Sequence, residues 1–149
     1  MEKKAYLATE KKQMKRRLWA WGQTTDRIAW KGDELQKLRS FYEMQKKIWE
    51  GDESESGKKA LGKIERDYEA EAKRLRQEMD GILAAKDRID ELLRGLELEE
   101  SNYVQLRFEK GYGFDYIGMK MFLSRATLFR MQDRILKKMV LMEMELDTP

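Results

Sequence analysis

The stretch that decides the fold reads YVQLRFEKGYGFDYIGMKMFLSRATLFRMQDRILKKMVLM, residues 103–142. Its apolar residues recur at helical spacings, and two breaks interrupt them. Gly111 and Gly113 mark the first break, and a turn at Phe122 marks the second. Ser124 follows that turn, and serine is among the preferred helix N-caps. The pattern therefore predicts three helices, over about 98–109, 114–121 and 125–142.

The third of these helices has two chemically different faces. An apolar face is predicted to point into a core and carries Leu128, Met131, Ile135 and Met139. Two helices joined by a short turn, the second opened by a serine cap and lined with arginine, are typical of a helix-turn-helix. The first residues of its second helix reach base edges in the major groove of duplex DNA. We therefore expect DNA contacts from Ser124, Arg125, Ala126, Thr127, Phe129, Arg130, Arg134 and Lys137.

Each of these residue types suits a different part of DNA. Arginine pairs with two acceptors of guanine, which makes Arg125 and Arg130 candidate base readers. Thr127 offers a hydroxyl for a phosphate and a methyl for thymine. The cations further along the helix are expected to hold phosphates, which set register without reading sequence; they are Arg134, Lys137 and Lys138. The free N–H groups at the helix start also suit a phosphate.

A heptad pattern precedes this module. Apolar residues are spaced by seven over residues 58–96, at Leu61, Tyr68, Leu75, Ile82, Ile89 and Leu96. Such a sustained seam predicts a coiled-coil helix, which cannot bury its stripe alone. The partner is the preceding helix folded back, the same helix of another chain, or both. We therefore predict a homo-oligomer formed through the 58–96 helix.

The N-terminal part is predicted to be helical as well. Residues 3–21 form a basic amphipathic helix, and the run from Gly22 ends it. Asp33 is a candidate cap for a second helix, and Gly51 is a candidate for the C′ position just past the end of that helix. The segment GDESESG, residues 51–57, predicts a turn. The expected fold is all-α: a helical, coiled-coil-like hairpin over 1–96, then a three-helix helix-turn-helix module over 97–149.

Composition argues against catalysis and metal binding. The chain has no cysteine and no histidine, which removes the commonest metal ligands and the commonest general base. We therefore expect no catalytic residues, no metal and no cofactor, and so a protein that is not an enzyme. No apolar run is long enough for a membrane span, and no signal peptide is visible, so we expect a cytoplasmic protein without a membrane partner.

Positive charge is concentrated in two places. Residues 1–31 carry a local net charge of +6, and residues 120–138 carry +5, on a chain whose net charge is +3. Two basic clusters on an otherwise mixed chain fit a polyanion, and nucleic acid is the first candidate. For the first cluster, a solvated helix face is an equally good interpretation.

The predicted helix-turn-helix module also resembles a known family. The runs VQLRF from position 104, FDYIG from position 114 and LSRATLFR from position 123 resemble region 4 of sigma-70 factors. The resemblance covers roughly residues 97–140. It is closer to the region-4-like regulators of phages and prophages, including late-gene activators of the ArpU and RinA type. It implies a double-stranded DNA-binding transcriptional regulator, with RNA polymerase as a further partner. This chain departs from the family in having Gly118 where alanine is usual, and Phe129 where a polar or basic reader is common.

Two other functions remain open at this point. Small terminase subunits, which package DNA, also join a helix-turn-helix to helical oligomerisation segments. A coiled-coil adaptor that binds no nucleic acid is the other alternative. The acidic tail carries Glu143, Glu145 and Asp147 and is interpreted as a solvated segment, with a polymerase contact as the second interpretation.

Overall fold

A computed structural model describes residues 2–149, and their regular secondary structure is entirely helical. They divide into two compact units: the terminal unit, residues 2–24 with 84–149, and the α2–α3 unit, residues 25–83. The helices are α1 (Glu2–Gly22), α2 (Thr24–Trp49), α3 (Glu55–Leu93), α4 (Leu98–Val104), α5 (Phe114–Met121) and α6 (Arg125–Leu146). Among the described residues, none of these helices combines the length and apolar character needed to cross a membrane.

The terminal unit is built around α6. All four residues predicted to face inward are buried, and α6 also buries Leu136 and Val140. The other helices close over this stripe with apolar side chains of their own: Met14, Leu18, Ile89, Leu92, Tyr103, Val104, Phe108 and Ile117. Burial of an aliphatic or aromatic side chain of this size contributes roughly 1.5–3 kcal/mol. The position of α6 is therefore fixed by tertiary packing more than by its intrinsic helix propensity.

A π-helical turn over Gln105–Glu109 extends α4. The Lys110 N–H donates to the Gln105 carbonyl at 2.9 Å, five residues back. Gly111 follows with φ 74, a left-handed conformation that glycine adopts without steric penalty. The predicted helix over 98–109 is thus present, but its second half is wider than an α-helix.

The junction of α1 with this turn requires a glycine. A Cβ on Gly22 would lie 1.8 Å from the carbonyl oxygen of Phe108. The Trp19 ring packs edge-on against Phe108 with centroids 4.8 Å apart. The end of α1 is therefore held directly against the backbone of the π-helical turn.

In the α2–α3 unit, the two helices run in opposite directions. The rings of Tyr42 and Tyr68 stack with centroids 4.3 Å apart, and Lys31 Nζ lies 2.7 Å from a Glu78 carboxylate oxygen. The buried apolar residues of this unit all come from α3 and are Ala72, Leu75 and Ile82. Both large members of this set belong to the predicted heptad seam.

Two predicted helix starts are wrong. Asp33 lies inside α2, which begins at Thr24 with only Gln23 separating it from α1. The Thr24 hydroxyl donates to the Trp21 carbonyl at 2.8 Å and closes the end of α1. Asp26 lies in the first turn of α2, where a carboxylate interacts favourably with the positive end of the helix dipole.

The long helix begins earlier than predicted, because Ser54 caps it. The Gly57 N–H donates to Ser54 Oγ at 3.0 Å. The helix then ends at Leu93, so Leu96, the last residue of the predicted seam, lies beyond it. At the other end of the turn, the prediction for Gly51 is consistent with its φ of 86, two residues after the end of α2.

Candidate nucleic-acid interface

The start of α6 is organised by its first residues. Ser124 is the N-cap, and its Oγ accepts the Thr127 backbone N–H at 3.2 Å. The two hydroxyls of this pair are 2.8 Å apart, and Arg130 Nη2 lies 3.3 Å from Thr127 Oγ1. A serine cap of this kind contributes about 1 kcal/mol. It also leaves the N–H groups of Arg125 and Ala126 pointing out of the helix end.

A tight turn joins α5 to α6. Phe122 adopts a left-handed conformation with φ 58, and 92% of its surface is exposed. The Leu123 N–H donates to the Gly118 carbonyl at 3.0 Å, and a Cβ on Gly118 would lie 2.7 Å from the Leu123 carbonyl oxygen. This close approach explains why position 118 is a glycine.

Exposure divides α6 as the sequence predicts. Arg125, Ala126 and Arg130 are exposed, while Leu128 and Met131 on the opposite side are buried. The structure therefore presents the first two turns of α6 as a basic surface on a fixed apolar base. Lys137 is exposed further along the helix, and no salt bridge involves it within residues 2–149.

An aromatic pair supports the first arginine. The Phe129 ring stacks on Phe114 of α5 with centroids 4.3 Å apart, and 48% of Phe129 remains exposed. The Arg125 guanidinium lies 5.9 and 5.7 Å from the two ring centroids. Arg125 is also 3.5 Å from Asp115 of α5. Phe129 therefore packs on α5 and still leaves about half of its surface exposed.

Arg134 and Lys138, two of the expected phosphate ligands, pair with Glu100, a residue that the sequence pattern does not single out. Glu100 is 2% exposed, and its carboxylate lies 2.9 Å from Lys138 Nζ and 3.4 Å from Arg134 Nε. The Glu97 N–H donates to the same carboxylate at 2.9 Å. Burial raises the pKa of Glu100, but these hydrogen bonds and charges outweigh it and hold the pKa below its ordinary value. Arg134 keeps 61% of its side chain exposed, whereas Lys138 is half-buried.

Buried polar contacts fix α6 to α4. The Tyr103 hydroxyl donates to Gln132 Oε1 at 2.7 Å, and both residues are buried. Burial raises the pKa of Tyr103 to about 12. A satisfied buried hydrogen bond of this kind favours one packing arrangement over its alternatives.

A second missed residue, Arg107, links α1 to α5. Its guanidinium lies 5.0 Å from the Trp19 ring centroid and 4.7 Å from that of Phe114. Its Nη1 donates to the Tyr112 carbonyl at 3.0 Å. Neither Arg107 nor Glu100 is signalled by local spacing, since the aromatic or charged side chains that they contact lie on other helices.

The interpretation of the acidic tail as solvated is wrong for Glu143. Arg17 of α1 donates two hydrogen bonds to its carboxylate, at 2.6 and 2.8 Å, and Arg88 of α3 donates a third at 3.1 Å. Hydrogen bonding to Arg17 is the main reason that the pKa of Glu143 lies below its ordinary value. Asp147 also pairs with Arg88. The end of α6 is therefore tied into the terminal unit.

Comparison of this chain with protein-family models, with curated proteins and with solved structures finds no match.

Proposed function

We propose that this chain is a sequence-specific double-stranded DNA-binding transcriptional regulator that reads the major groove with α6. The observation that carries the proposal is the arrangement of α5, a tight turn and α6. The exposed first turns of α6 carry Arg125 and Arg130, and the opposite face of α6 is buried. This is the arrangement that a helix-turn-helix needs, because the reading helix must project from a fixed base. The proposed role is binding, without catalysis.

In this proposal, the two arginines read bases and the helix start holds the backbone. Arg125 and Arg130 each present a planar fork of donors, which matches the O6 and N7 acceptors of guanine. The outward N–H groups at the cap are suited to a phosphate oxygen. Lys137 and the exposed part of Arg134 add phosphate contacts along the groove edge.

The aromatic pair gives Arg125 a defined position. A long arginine side chain loses rotamer entropy when a base immobilises it, and prior packing reduces that loss. The ring faces of Phe114 and Phe129 attract the guanidinium. The carboxylate of Asp115, which lies on α5, pairs with it and restrains it further. The exposed edge of Phe129 is available for a thymine methyl.

We further propose that the α2–α3 unit forms a homo-oligomer. The support is its unpartnered apolar surface: Trp30, Phe41, Met44 and Ile48 of α2 are 53–72% exposed. These residues provide apolar surface that a second copy would remove from water, whereas the seam residues Leu75 and Ile82 are already buried within the unit. A dimer would place two reading helices on half-sites about 34–36 Å apart when one helical turn separates them.

The origin and partners of the regulator rest on the sequence resemblance. It supports a phage or prophage gene product with RNA polymerase as a second partner. A cytoplasmic location remains a prediction from the sequence.

The test is selection of binding sites from a random duplex pool. We expect the wild-type protein to enrich a defined motif, and Arg125→Ala/Arg130→Ala to relax it at one or more positions. Each lost bidentate base contact should reduce discrimination by about 1–3 kcal/mol. Lys58→Ala/Lys59→Ala in the α2–α3 unit removes the same charge and is the matched control, which should keep the wild-type motif.

Two outcomes would overturn the proposal. If no motif is enriched and binding decays uniformly with salt, the basic surface contacts only phosphates, and DNA packaging by a terminase-like ring becomes the better hypothesis. Sedimentation would then distinguish a ring of many subunits from a dimer. If no duplex binds even at low salt, the adaptor hypothesis replaces DNA binding.

A further inference from the structure

Most of the N-terminal basic cluster lies on α1, which packs against α6 in the terminal unit. Met14 and Leu18 of α1 are buried in the shared core. On one flank of α1, Lys11 Nζ lies 2.7 Å from Asp133 Oδ1. On the other flank, Arg17 binds Glu143, ten residues further along α6. The flank that carries Lys11 therefore adjoins the side of α6 on which Asp133 lies.

Two more lysines share that flank. Lys4 precedes Lys11 by seven residues and Lys15 follows it by four, and these spacings place side chains on one side of a helix. Lys4 is exposed and Lys15 is half-buried. Neither forms a salt bridge within residues 2–149, in contrast to Lys11. We call Lys4, Lys11 and Lys15 the α1 flank.

The partner of Lys11 lies in the middle of the proposed reading surface. Asp133 is exposed and follows Arg130 by three residues and Ala126 by seven, while Lys137 comes four residues later. These residues form one row along α6. An unpaired aspartate in that row would repel DNA phosphates, and Lys11 neutralises it. The α1 flank thus adjoins the α6 surface and keeps it positive.

We propose that the α1 flank is a second DNA-contacting surface, which binds backbone phosphates of the same duplex that α6 reads. The inference rests on the proposed function. It assigns the first basic cluster a role in affinity and register, since phosphate contacts position a protein without reading bases.

The experiment measures the salt dependence of binding to the selected duplex. Full-length wild type is compared with Lys4→Gln/Lys15→Gln, and with Lys12→Gln/Arg16→Gln as the matched control. The control removes two exposed charges from the same helix but from positions outside the flank. Thermal unfolding checks that each variant is folded.

We expect the flank variant to lose two phosphate contacts. The slope of log affinity against log salt should then become shallower by about 1.8, since each contact contributes about 0.9. The advantage of wild type over this variant should shrink roughly tenfold between 50 and 200 mM salt. The control should keep the wild-type slope, and both variants should select the wild-type motif.

The failures are distinguishable. Equal slopes for wild type and Lys4→Gln/Lys15→Gln would overturn the inference while leaving the proposed function intact. Equal losses in both variants would show that α1 acts only through its total charge, which also overturns it. Absence of binding by the wild type would overturn the proposed function, and this inference with it.

Discussion

The terminal unit and the α2–α3 unit use their apolar residues in opposite ways. Fourteen buried hydrophobic residues form the core of the terminal unit, and side chains from five helices meet there. The α2–α3 unit buries only three hydrophobic residues and leaves four large apolar side chains of α2 more than half exposed. The unit with the most regular sequence pattern therefore has the thinner core.

This difference separates periodicity from packing. A heptad seam predicts that a helix needs a partner, but it does not indicate whether the same chain or a second copy supplies that partner. The terminal unit has weaker periodicity, yet its short helices converge on α6 and exclude water. A fixed reading surface needs a densely packed unit like the terminal unit, whereas a unit with a thin core, like the α2–α3 unit, suits association with another copy.

Core truncation should produce the largest difference between the two units. Leu128→Ala is expected to destabilise the terminal unit by about 3–4 kcal/mol, because Leu128 is fully buried among several helices and leaves a cavity. Leu75→Ala should lower the stability of the α2–α3 unit by about 2 kcal/mol, since a two-helix site can collapse around the smaller residue. Hydrogen exchange of each unit measures both changes. Equal losses in the two units would contradict the comparison.

A pair of glycine substitutions should have opposite signs. Gly22→Ala places a methyl group against the Phe108 carbonyl and is expected to destabilise the terminal unit by about 3 kcal/mol. Gly32→Ala in α2 has open space around the added methyl and should stabilise the α2–α3 unit by about 0.5–1 kcal/mol. Urea unfolding of the two variants gives the result. A neutral Gly22→Ala would mean that α1 is not held against the π-helical turn.

The smallest expected effect concerns Tyr103 and alkaline pH. Burial raises the pKa of Tyr103 from 10.0 to about 12, so the folded state favours the protonated hydroxyl. This contribution is fully present below about pH 10 and is lost as the pH rises through 12. Tyr103→Phe should cost about 1 kcal/mol at pH 7, because Gln132 loses its partner.

The pH profile provides the control for this prediction. The destabilisation caused by Tyr103→Phe should shrink between pH 10 and 12, because the phenylalanine has no proton to lose. A difference between the two proteins that stays constant over this interval would mean that Tyr103 titrates normally.

The local features of the fold could be predicted from the sequence. The bounds of α5, the cap at Ser124 and the inward residues of α6 follow from spacing, glycine breaks and capping chemistry within a few residues. The start of α2 differs from the prediction, because Asp33 is a good cap in isolation. With Asp33 as the cap, the first helical residue would be 34, whereas α2 begins ten residues earlier at Thr24, whose hydroxyl closes the end of α1.

The contacts between distant residues could not be predicted in this way. Arg134 and Lys138 have the spacing and charge of phosphate ligands, and only the fold brings Glu100 to them from 34 and 38 residues away. The same holds for Lys11 and Asp133, which are 122 residues apart. Helical spacing identifies the face on which a charge lies, whereas its partner depends on how the helices pack.

The most direct test of DNA reading by α6 uses its first turn as a cleavage probe. The chain has no cysteine, so Ala126→Cys creates a single site for a tethered iron chelate at an exposed position. Glu145→Cys on the same helix is the control, about 28 Å away. We expect focused cleavage of the selected duplex around one major-groove segment from position 126, and little cleavage from position 145. Equal cleavage from both positions, or none from 126, would contradict it.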